Sequence, residues 1–220
     1  MTHRILRCAA LIVCFSTIGC SVLAPRPDRS RFFNLAAMSA TPGDRGAAYA
    51  PSAAAPAAMY GLGPIELPAY LDRNELATRV SPTEVTYSTT ERWAEPLAAT
   101  FTAVLLQDLC VLLDTNRILP YPWASGERVD YQIEINVLQF DDDVSGNTRL
   151  IARWRVRDVS KATYLVAKET NVAKSRPPGD SSARVAALSD ALRDLGQDIA
   201  DALRRLPAPA APPTSASRRT

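Results

Sequence analysis

The stretch VDYQIEINVLQFDDDVSGNTRLIARWRVR, Val129 to Arg157, decides the fold class. Its first half puts Val129, Tyr131, Ile133, Ile135 and Val137 on one side and Asp130, Gln132, Glu134 and Asn136 on the other. That is the two-residue period of a strand with one face buried. The phase then changes, because Leu138 and Phe140 are the next apolar residues, and a bulge near Val137 accounts for it. Beyond the turn-forming run DDDVSGN, Leu150, Ala152, Trp154 and Val156 point inward while Arg149, Arg153, Arg155 and Arg157 point outward. The stretch is therefore a predicted hairpin whose outer face sets Asp130 and Glu134 against a row of arginines.

The flanking sequence extends the hairpin into a sheet. ATYLVAKETNVA (162–173) predicts the next strand, and shorter ones are expected around 60–67, 76–79, 84–88 and 117–120, with RFFNL (31–35) as an added strand. Two segments carry the helical period instead. Leu97, Phe101, Val104, Leu105, Leu109, Leu112 and Leu113 form one apolar face, with Pro96 suited to the first turn. Val185, Leu188, Leu192, Leu195, Ile199, Leu203 and Leu206 form another, which begins after PPGDSS and stops before Pro207. The expected architecture is α/β: a single domain, 60–206, with a mixed, largely antiparallel sheet packed against two main amphipathic helices.

The ends have a different character. Residues 36–59 and the tail after Leu206 are dominated by Ala, Pro and Ser without an apolar period, and they read as a flexible linker and a disordered tail (207–220). The opening MTHRILRCAALIVCFSTIGC has a basic start, about a dozen apolar residues and a small residue before Cys20. The run is too short for the roughly 20 residues that cross a bilayer, so it reads as a secretory signal over 1–19. Thr17-Ile18-Gly19-Cys20 resembles a lipobox, in which the cysteine is acylated and becomes the new N-terminus, although Thr17 stands where Leu is usual. The competing Cys14 follows the branched Val13. Lipidation of Cys20 would hold the chain on a membrane, with 20–59 as lipidated N-terminus and tether. Under the sorting rule of enteric bacteria, Ser21 directs it to the outer membrane.

Processing also narrows the chemistry. Loss of residues 1–19 takes Arg4 and Arg7 but no acid from 25 basic and 23 acidic residues. The mature chain is then neutral, which removes the compositional case for nucleic-acid binding. The only histidine, His3, leaves too, so a Ser-His-Asp unit, a Cys-His unit and a histidine zinc site are all excluded. Cys110 remains as a small hydrophobe within FTAVLLQDLCVLLD. The run Asp141-Asp142-Asp143-Val144-Ser145-Gly146 has the oxygen spacing of a calcium loop, but Ala152 stands where the bidentate acid belongs, so a hairpin tip is expected. No cofactor, metal site or catalytic group is expected. The arginines Arg149, Arg153, Arg155 and Arg157 are candidates for lipid-headgroup phosphate, against the plainer reading of a solvated face paired with acids.

One block, Gly61 to Leu109, carries a family pattern. Gly63-Pro64, then Leu67-Pro68-x-Tyr70-Leu71-Asp72-Arg73, then Arg79, then Arg92-Trp93-Ala94-Glu95-Pro96-Leu97 resemble the PqiC (YmbA-like) family of ABC-type transport auxiliary lipoproteins. The resemblance continues more weakly through LPYPW (119–123) and the hairpin. It implies an α/β fold and a non-enzymatic accessory role beside an MCE-domain, PqiB-like partner. In such systems a periplasmic tube carries lipid between membranes, and the lipoprotein receives its far end at the periplasmic face of the outer membrane. Self-association is also implied. Leu67, Pro68, Tyr70, Leu71, Asp72, Arg73, Arg92, Trp93, Glu95 and Pro96 are the matched residues, with either a partner-binding or a structural job.

Overall fold

A computed structural model describes residues 28–38, 58–177 and 179–207. The signal, Cys20, most of the Ala/Pro-rich stretch and the tail after Pro207 lie outside the described residues. Residues 28–30 form a unit apart, in which the Ser30 amide donates to Asp28 Oδ1 (2.9 Å). The described residues from Arg31 onward belong to one body.

Its strands are β1 (Arg31–Phe33), β2 (Tyr60–Glu66), β3 (Glu75–Ser81), β4 (Glu84–Trp93), β5 (Ile118–Pro120), β6 (Tyr131–Asp142), β7 (Thr148–Asp158) and β8 (Thr163–Lys174). The helices are α1 (Leu97–Leu112) and α2 (Ser181–Leu203). The long ladders β6–β7, β7–β8 and β3–β4 are antiparallel. The shorter ones are parallel: β2–β6, β2–β5 and β1–β4. Strand β6 is the spine. One edge pairs with β7, while the other is shared between β2, over Tyr131–Asn136, and β3, where Thr78 meets Asp142. The sheet is thus mixed and largely antiparallel, as the alternation predicted.

Both helices pack on one side of this sheet. Trp154, Phe140, Ile133 and Leu150 from the strands and Phe101, Leu105, Leu188, Leu192 and Leu195 from the helices are fully buried. Phe101 meets Phe140 edge to face, 5.2 Å between ring centres. The buried indole of Trp154 donates to Thr170 Oγ1 (3.0 Å), and that hydroxyl donates to Asp198 Oδ2 (2.7 Å), so one chain of bonds ties β7, β8 and α2. Asp180 caps α2 by accepting from the Ser182 amide (2.8 Å). Arg204, just past α2, donates to the Leu112 carbonyl at the end of α1, which occupies an otherwise orphan acceptor.

Four details differ from the sequence reading. The register slip falls between Val137 and Gln139, as expected, but it turns Leu138 outward (37% exposed) and only Phe140 inward. The turn is shorter than DDDVSGN: Asp143 to Asn147 make it, Gly146 has the positive φ (79°) it needs, and Asp141 and Asp142 remain in β6, buried. Pro96 is the cap residue of α1 rather than its first-turn residue, its carbonyl accepting from the Ala99 amide (3.0 Å). Finally, RFFNL returns to the sheet as the expected added strand, but the docked segment runs on past Leu35 to Met38. β1 pairs with β4, Leu35 is buried, the Ala36 amide donates to Ser189 Oγ (3.0 Å) and the Met38 amide donates to Asp108 Oδ1 (2.7 Å).

Candidate functional site

The two matched blocks, some twenty residues apart in sequence, meet in space. Pro68 opens a single 3-10 turn, Ala69–Leu71, which carries the chain from the end of β2 to the start of β3 and buries Leu71. Leu67 packs at the margin of the core. Tyr70 donates its hydroxyl to Asp141 Oδ2 (2.9 Å), and its carbonyl accepts from the Tyr87 hydroxyl (3.2 Å). Burial, followed by the Asp141 carboxylate, pushes the Tyr70 phenol up to about 12, so it stays a donor. Arg73 lies over the Tyr87 ring (4.3 Å) and reaches Glu75 (3.4 Å). The second block closes on the first: Glu75 pairs with Arg92, and the Trp93 amide donates to the Asn74 carbonyl (2.6 Å). Trp93 is buried, whereas Asp72, Arg92, Glu95 and Pro96 are exposed.

Beside Tyr70 lies a cluster that the sequence reading missed. Asp141 also accepts from Arg79 (3.1 Å) and from Gln139 (2.7 Å). Asp142, 2% exposed, accepts from Thr148 (3.0 Å) and is gripped by Arg176 and by Arg184, whose Nε is 3.0 Å away. Arg184 continues to Thr78 Oγ1 (3.0 Å) and the Ala77 carbonyl. Two carboxylates and three guanidiniums thus lock β3, the end of β6, the β8–α2 connection and the first turn of α2. The signal was present in the sequence, since the strand pattern can be continued through two acids, but turn propensity masked it.

The arginine row lies on the side of the sheet away from the helices, across β6 from the matched blocks. Arg153 pairs with Glu169 (2.9 Å), Arg155 with Glu134 (2.6 Å), and Arg149 donates to Asn171 Oδ1 (3.1 Å). Arg155 also stacks on Tyr164 (4.5 Å). Arg157 stands in register with Gln132 and Tyr164. Asp130 does not face an arginine; it accepts from the Met59 amide (2.8 Å) and fixes the entry to β2. Arg153 and Arg155, with Glu66, Glu134, Asn136 and Pro64, line a shallow depression of about 330 Å³. The LPYPW segment begins alongside β2, Leu119 and Pro120 pairing with Gly61 and Leu62, and a Cβ added to Gly61 would stand 2.7 Å from the Trp123 ring. Among the described residues no three His, Cys, Asp or Glu side chains gather into a metal-binding group, and no helix is long and apolar enough to cross a membrane.

Comparison with known proteins agrees with this geometry. A crystal structure of an uncharacterized protein superposes with a TM-score of 0.63 at 14% identity, over 79% of this chain and 98% of the other. A DUF330 protein of Xanthomonas campestris superposes with a TM-score of 0.58 at 16% identity, over 77% and 92%. At these identities the likeness is one of fold. A search of curated protein sequences returns no match. The family model for the "ABC-type transport auxiliary lipoprotein component" matches residues 43–200, which takes in both motif blocks, the buried Asp141–Asp142 cluster and most of α2. The chain therefore belongs to the ABC-type transport auxiliary lipoprotein family.

Proposed function

We propose that the protein is a non-enzymatic accessory subunit, lipidated at Cys20 and held at the periplasmic face of the outer membrane, that docks the end of an MCE-type lipid-transport assembly. The observation that carries this reading is the extent of the family match, which spans almost the whole body rather than a signal or a single motif. The lipobox supplies the anchor, and several acyl chains together hold a protein stably where one holds it marginally. Tyr70, Leu71, Trp93 and Pro96 serve the architecture, since each closes a turn, a buried contact or a helix start. The open sheet face, with its arginine row and shallow depression, is the surface left for headgroups or for a partner. Crosslinking in intact cells at native expression, followed by purification and mass spectrometry, tests the assignment. An MCE-domain protein should be recovered, and recovery of unrelated proteins alone overturns the reading.

A further inference from the structure

The docking of residues 31–38 changes how far the body can stand from its anchor. If the body began at Tyr60, 39 residues would separate it from Cys20, a contour of about 130 Å. With β1 built into the sheet, ten residues (21–30) remain, and their contour is only about 35 Å. A leash this short keeps the membrane surface at high effective concentration beside whatever surface carries β1, so that a modest patch suffices to bind it.

That surface carries such a patch. Phe33 and Trp93 turn toward the core, so their neighbours Phe32 and Arg92, in register across β1 and β4, point the other way. Phe32 is 62% exposed. Arg92 is exposed and in register with Glu75, and Glu75 is also paired with Arg73, half of whose side chain is open to solvent. The Glu75 carboxyl is held below its usual range first by its own backbone amide and then by Arg73 and Arg92. A lone exposed phenylalanine is ordinary on a soluble protein. An exposed aromatic ring with Arg92 in register beside it, at the root of a short acylated leash, has the composition of an interfacial anchor, with a ring for the acyl boundary and a fork for phosphate.

We propose that Phe32, with Arg92 beside it, is a second contact with the bilayer that holds Cys20, so that the body lies against the headgroups along its β1–β4 edge. This rests on the lipid-anchor reading above. The test uses the full lipidated chain in vesicles of phosphatidylethanolamine and phosphatidylglycerol, in a Cys110→Ala background, with a nitroxide on Phe32→Cys or on Leu165→Cys. Leu165 sits beside Ala202 near the far end of α2, whereas Arg31 touches Ser182 at its start, a helix length of roughly 30 Å away. Label 32 should collide with oxygen rather than with water-soluble nickel, its ratio of the two exceeding that of label 165 by roughly threefold or more. Mass spectrometry of the same sample reads Cys20. A lipidated Cys20 with label 32 as wet as label 165 overturns the proposal alone. An unmodified Cys20 overturns the anchor reading and the proposal with it. Phe32 is surface-exposed, so its replacement leaves the fold intact.

Discussion

Replacing Asp142 by Asn should destabilise the body severely, although no cleft is touched. The carboxylate is buried and neutralises two nearly buried guanidiniums, with side-chain exposures of 12% for Arg176 and 7% for Arg184. Removing one partner of a buried ion pair leaves the other charge in a medium that solvates it poorly, at a cost of about 3–5 kcal/mol. The amide retains an oxygen for the Thr148 hydroxyl, so the lower end, about 3 kcal/mol, is expected. Against a whole-domain stability of about 5–15 kcal/mol this is a large fraction. With a urea slope near 2 kcal/mol/M it lowers the midpoint by about 1.5 M. The assay is urea unfolding of residues 21–220 followed by tryptophan fluorescence, to which the buried Trp93 and Trp154 contribute. The control is Glu134→Gln, which breaks the pair with the half-exposed Arg155 and should cost about 0–1 kcal/mol. If Asp142→Asn costs no more than that control, the lock described at the end of β6 does not exist.

Other substitutions probe separate parts. Tyr70→Phe removes the donor to Asp141 and should cost about 1.5–2 kcal/mol in the same assay, with the secondary structure unchanged by circular dichroism. Gly61→Ala drives a methyl into the Trp123 ring and should cost about 1–3 kcal/mol while altering the near-ultraviolet aromatic signal. Asp158 is held down to about 2 by the Ser160 hydroxyl first, and then by Lys161. Its folded value lies below the unfolded value of about 3.9, so its stabilisation is present above that pH and drains away as the pH falls from about 4 to about 2. Asp158→Asn should therefore flatten the acid limb of the stability profile, and parallel limbs would show that those contacts do not hold the charge. Cys20→Ala should move the protein from the membrane pellet to the soluble fraction on centrifugation of lysed cells.

The sheet and both helices were legible because their signals are local and repeated. Alternation from Val129 to Val137 and the 3.6-residue spacing from Val185 to Leu203 each report one buried face. The bulge was legible for the same reason, as a break in phase. What escaped was information held between distant residues. Asp141 and Asp142 have turn composition, and only Arg79, Arg176 and Arg184, brought in by other elements, make them strand residues of the interior. Leu138 is apolar yet lies outside, because a bulge frees one residue from the alternation. The motif residues were visible as a pattern, but their geometry was not: Tyr70 could be seen, whereas the carboxylate that accepts its hydrogen bond is 71 residues further on.

The placement of β1 also imposes an order in time. Its partners are late in the chain: β1 pairs with β4, but Arg31 and Ala36 complete their contacts with Ser182 and Ser189, more than 150 residues downstream. A chain made N-terminus first cannot make these bonds until α2 has been added. β1, the first strand to be made, is therefore the last to be tied down on both of its sides.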